Sequence, residues 1–170
     1  MTSSTVNLYS LDYRQPRAYL FAAAFVAGNI ALPQLCHLIP QGGLILLPIY
    51  FFTLIAAYKY GWRVGFLTAI ASPIVNSALF GMPAPAMLPI ILIKSTLLAI
   101  IAAWVSGHYR KVSLPLLTAV VLGYQVVGCA IEALLSGSLL VGFQDFRIGV
   151  PGMLLQIIGG YFLLRYLLRR

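Results

Sequence analysis

Polar interruptions cut the chain into six apolar runs. They cover about Ala18–Cys36, Leu44–Tyr60, Val64–Phe80, Met87–Val105, Pro115–Leu135 and Gly149–Tyr166. From residue 18 to residue 58 no side chain is charged, apart from the neutral-leaning His37. A helix that crosses a bilayer needs about 20 apolar residues. This stretch therefore holds two spans, divided at the turn Pro40-Gln41-Gly42-Gly43. The runs are continuous rather than alternating, so they predict helices and not the strands of a barrel. Prolines at Pro48, Pro73 and Pro89 predict local kinks where a neighbouring helix satisfies the freed carbonyls. The expected fold is an all-α membrane protein, a compact bundle of six transmembrane helices. Residues 1–17 form a polar cytoplasmic N-terminus and residues 18–170 a single transmembrane domain.

Composition agrees with the pattern. Hydrophobic residues make up 61% of the chain and charged residues 8%, more apolar than a soluble domain of this size. The first 13 residues lack a basic segment leading into a short apolar core, so no removable signal peptide is expected. Cys36 and Cys129 lie in separate apolar runs and read as small buried hydrophobes, with neither metal-binding spacing nor a disulfide framework.

The net charge of +8 raises the question of nucleic acid, and its distribution answers it. Arg14, Arg17, Lys59, Arg63, Arg110, Lys111, Arg165, Arg169 and Arg170 all fall on one side if six spans alternate. Of the remaining basic residues, Arg147 falls on the other side and Lys94 inside a span. Basic residues stay cytoplasmic, so both termini are expected to face the cytoplasm. The charge is then a topology signal and a contact zone for anionic lipid headgroups, with no nucleic-acid partner.

Lys94 lies within the fourth run and Glu132 within the fifth. An ionisable group at such depth costs about 2.5–3.5 kcal/mol on insertion scales. Two readings stand: a structural ion pair or a snorkelling lysine, or a pair of ligand-binding groups. Gln125, Gly128, Cys129 and Glu132 share one helix face by their spacing. Gln156 of the sixth run lies at about the depth of Lys94, and Asn76 near the outer end of the third run. Tyr124, Phe80 and Phe143 are placed to line an outer pocket, and the 136–148 loop to act as its lid. Amides and glycines also serve simply as helix–helix contacts. In the first run Ala18-xxx-Ala22 and Ala23-xxx-Ala27-xxx-Ala31 predict close approach by another helix, internal or from a partner.

Enzymatic readings find little support. The only acidic residues are Asp12, Glu132 and Asp145, which gives neither a facing carboxylate pair nor an aspartate cluster. His37 and His108 lie at opposite ends of the spans, with no nucleophile motif beside them. There is no phosphate-binding loop. No catalytic residue, metal or cofactor is expected.

The stretch from Leu47 through Val105, above all KYGWRVGFLTAIASPIVNSALFGMPAPAMLPIILIKSTLLAIIAAWV, resembles the substrate-binding S components of energy-coupling factor (ECF) transporters. A basic inner turn leads into a span with a serine-proline, then a Gly-Met-Pro outer turn and a Met-Leu-Pro opening of the next span. The resemblance implies a substrate-specificity subunit in a bacterial cytoplasmic membrane. Such a subunit captures a vitamin or related micronutrient at an outer pocket built mainly from spans 4 to 6. It works with two cytoplasmic ATPases and a transmembrane coupling subunit, and span 1 meets the coupling subunit through small residues such as Ala23, Ala27 and Ala31. Substrate contacts would come from Lys94, Glu132, Gln125, Gln156, Asn76, Tyr124 and Phe143. Many relatives carry a glutamate after the Met-Leu-Pro opening where this chain has Lys94, and a lysine there favours an anionic ligand. The competing expectation is a structural or assembly protein of the membrane with a buried Lys94–Glu132 pair.

Overall fold

The computed structural model describes residues 11–168, and among these there is no β-strand. The helices are α1 (Pro16–Cys36), α2 (Gly42–Leu46), α3 (Phe51–Tyr60), α4 (Trp62–Phe80), α5 (Leu88–Tyr109), α6 (Leu114–Ser136), α7 (Leu139–Gly142), α8 (Gln144–Ile148) and α9 (Val150–Leu168). Proline opens α1, α5, α6 and α9, where its missing N–H removes no helical bond. Pro89 thus begins a helix rather than kinking one. Gly81 and Gly137 end α4 and α6 with φ of 67°, the left-handed stop that glycine makes readily.

Five helices, α1, α4, α5, α6 and α9, are long and apolar enough to cross a membrane. The second apolar run differs from the continuous helix its composition predicts. It breaks at Leu47, which has φ 46° and ψ 45°, and a short 3₁₀ turn, Pro48–Tyr50, follows. The cause is Pro48, whose ring disfavours the right-handed helical conformation in the residue before it. A left-handed leucine costs roughly 1–2 kcal/mol, so packing must hold it. Gly152 of α9 supplies that packing: a Cβ there would lie 2.5 Å from the Leu46 carbonyl carbon and oxygen. Beyond the break, α3 runs through the centre of the bundle, and every residue in it except Phe52 is buried.

The exterior is apolar and the interior carries the polar groups. Leu20, Ile100, Leu122 and Ile158 are exposed, while Asn29, Lys94, Gln125 and Gln156 are buried. A protein in water has the reverse arrangement. One end of the bundle gathers the basic turns. There the Leu11 N–H donates to the Tyr60 carbonyl, and the Tyr58 hydroxyl donates to the Lys111 carbonyl. The buried Lys59 ammonium donates to the Leu167 carbonyl near the end of α9, a helix terminus that favours a cation. Asp12 pairs with Arg63 at 3.6 Å. These contacts bring the N-terminal segment, the α3–α4 and α5–α6 turns and the end of α9 together. The opposite end holds the α1–α2 turn and the 81–87 segment.

Candidate functional site

At that opposite end the helices part around a cavity of about 310 Å³, a size at the lower bound of small-molecule sites. Its walls come from the last turn of α1 (Pro33, His37), the broken second segment (Gln41, Leu44, Leu47–Tyr50), the end of α4 (Asn76), the Met82–Ala84 turn, the first two turns of α5 (Met87, Ile90, Ile91, Lys94) and Glu132 of α6. The lining is mostly apolar, with a few polar groups. Ligand sites are generally built this way.

Lys94 and Glu132 form an ion pair, Nζ to Oε2 2.5 Å, with 1% and 12% of their side chains exposed. Gly128 makes this possible. A Cβ at that position would stand 2.6 Å from Lys94 Cγ, so only glycine lets the lysine stem lie against α6 and aim its ammonium at Glu132. Asn76 is held from both sides. Its amide donates to the Asn29 carbonyl at 3.3 Å, and its oxygen accepts from Gln34 at 3.2 Å. Ser77 donates to the Pro83 carbonyl at 2.8 Å and ties down the Met82–Ala84 turn.

The expected site residues thus divide. Lys94, Glu132 and Asn76 meet at the cavity. Tyr124, Gln125 and Gln156 lie behind it, buried in the bundle. Tyr124 donates to Gln156 Oε1 at 3.0 Å and packs its ring 5.5 Å from that of the cavity-lining Tyr50. Gln156 occupies a π-helical turn, Leu155–Gly159, a local distortion that recurs at functional sites. Phe143 is partly exposed, packs on Phe146, and does not line the cavity. The 136–148 segment forms α7 and α8 instead of an open loop, and Gly142 fits closely against Ala133 of α6. Ala23, Ala27 and Ala31 are exposed on the outward face of α1, whereas Ala18 and Ala22 pack on Ala56, Tyr60 and Val64.

The second apolar run and the turn before it contribute more to the cavity than their sequence suggests. Leu47 and Tyr50 line it where the chain breaks at Leu47, and His37 and Gln41 line it from the turn between α1 and α2. Pro33 and Pro48 were the available signals. Among the described residues, no group of three or more His, Cys, Asp or Glu is placed to hold a metal ion.

Behind the cavity, both side-chain polar atoms of Gln125 are buried without a hydrogen-bond partner, as are Gln156 Nε2 and Ser95 Oγ. A buried, unbonded amide is a liability that calls for water or a ligand. Gln125→Leu is expected to leave stability unchanged or raise it by up to about 1 kcal/mol, since it removes unpaired polar atoms at similar volume. Unfolding by SDS titration in mixed micelles measures this. A clear loss of stability would mean that Gln125 is bonded in the membrane.

Five apolar spanning helices around a core that also buries Asn29, Lys94, Gln125 and Gln156 define a multi-pass α-helical membrane protein, with a single-chain cavity at one end. No protein-family model, curated protein or solved structure matches the chain, so its particular function is argued from the site and the sequence resemblance alone.

Proposed function

We propose that the chain is the substrate-specificity (S) component of an ECF-type transporter in a bacterial cytoplasmic membrane. In this reading the second segment, α2 through α3, counts as a sixth span, interior and broken. The basic end, with both termini, faces the cytoplasm. The cavity faces outward and receives a vitamin-sized solute, which partner subunits then import with ATP. The chain itself hydrolyses nothing. The outward alanines of α1 (Ala23, Ala27 and Ala31) form the contact for the transmembrane coupling subunit.

The observation that carries this reading is the cavity at the charge-poor end with Lys94 and Glu132 in its wall. A scaffold has no use for such a space, although the bonded pair by itself would suit a structural or assembly protein. Affinity purification from the native membrane separates the two. A transport subunit is expected to bring down a coupling protein and two ATPases, and to release a small molecule on denaturation that mass spectrometry detects. A scaffold would yield neither.

A further inference from the structure

We infer that the ligand of this cavity presents N–H donors to Glu132 and carries no negative charge. This inference rests on the transport reading of the cavity and concerns the chemistry of its substrate. Lys94 alone points to an anion, but in the folded protein it is not alone. Its ammonium already bonds Glu132 and only 1% of its side chain is exposed, while Glu132 keeps 12% in the cavity wall. The accessible member of the pair is therefore the carboxylate, an acceptor with several lone-pair directions of which Lys94 uses only some.

Three ligand charges can be compared. An anion would have to take Lys94 from Glu132 and leave two negative groups around one ammonium, in a site of low dielectric. Removing one partner from a buried pair is strongly unfavourable. The fit of Lys94 against Gly128, where a Cβ would be 2.6 Å from Cγ, also fixes the stem and prevents the ammonium from swinging toward a new partner. A neutral amide or amine keeps the pair intact and adds a charge-assisted hydrogen bond to Glu132. A flat cation such as an amidinium does the same with two parallel N–H groups. Lys94 thus acts as a positioning residue that orients Glu132, and Glu132 is the group that touches ligand.

Benzoate, benzamide and benzamidine test this directly, because they share one shape and carry charges of opposite sign or none. Binding of each to the full chain in lipid nanodiscs is measured by calorimetry. Benzamide and benzamidine are expected to bind at least about tenfold more tightly than benzoate, the effect of one good hydrogen bond at about 1.4 kcal/mol per decade. The doubly neutral variant Lys94→Met/Glu132→Gln is expected to lose that preference while remaining folded. Benzoate binding as tightly as the other two overturns the inference but leaves a ligand site, and so the transport reading, standing. Saturable binding by none of the three also overturns it, and the transport reading is then decided by co-purification of the ATPases. A preference that survives in the doubly neutral variant overturns the role given to Glu132.

Discussion

Glu132→Ala is expected to destabilise the protein by about 3 kcal/mol, the lower end of the range for breaking a buried ion pair. The substitution leaves Lys94, 1% exposed, without the carboxylate that compensates its charge. The lower end applies because the adjoining cavity can admit water to the ammonium. Lys94→Met/Glu132→Gln removes both charges and is expected to recover most of the loss, because the pair's desolvation penalty disappears along with its attraction. The contrast between single and double variants is the informative quantity, and it is read as a coupling energy from SDS-titration unfolding. Additive effects, with the double variant as unstable as the sum of the singles, would show that the two groups do not interact in the membrane. Lys94→Met alone is expected to be milder than Glu132→Ala, since Glu132 is the more accessible of the two and can meet water.

The helical class and most of the span positions are legible in the sequence because lipid demands long apolar runs, which nothing else in the chain imitates. The Lys94–Glu132 pair is legible for the same reason: charges inside such runs stand out, and few partners exist. The wall formed by His37, Gln41, Leu47 and Tyr50 is not. Hydropathy reads only a turn at His37 and Gln41 and a uniform apolar run around Leu47 and Tyr50, and it cannot tell a lipid-facing helix from a central buried one such as α3. Nor does it register that the residue before Pro48 takes a left-handed conformation and splits the segment. The sequence reading assigns Gln125 and Gln156 a depth within the bundle, and depth alone does not say which side of a helix faces the cavity. The structure sets both behind it. Phe143 belongs to a segment that folds into α7 and α8 on α6, where helical packing against Ala133 outweighs the loop character suggested by its glycines and serine.

Asn29→Leu should destabilise the bundle by about 2–3 kcal/mol without altering the cavity. Asn29 is fully buried, and its side chain serves three partners on two helices. Its amide donates to Thr53 Oγ1 at 3.0 Å and Ser72 Oγ at 3.1 Å, and its oxygen accepts the Phe52 N–H at 3.1 Å. Thr53 and Ser72 sit inside helices and can turn their hydroxyls to a carbonyl one turn back, so their losses are small. Phe52 has no such recourse. It lies in the first turn of α3, where backbone N–H groups lack a helical acceptor, and it is bonded there by the fully buried Asn29. An unsatisfied buried donor costs about 1–3 kcal/mol, and this term supplies most of the expected loss. α1 reaches Asn76 through the Asn29 backbone carbonyl and the Gln34 side chain, both of which the leucine variant retains, so the cavity wall and benzamide affinity should persist in the folded fraction. Substituting leucine for Ala27, exposed on the other face of α1, should leave stability within about 0.5 kcal/mol and, on the proposed transport reading, weaken only the association with a coupling subunit. A loss of benzamide affinity in Asn29→Leu equal to its loss of stability would mean that α1 and the cavity are one cooperative unit. Retained affinity would place the polar anchor of α1 and the ligand site on separate footings, as their hydrogen bonds indicate.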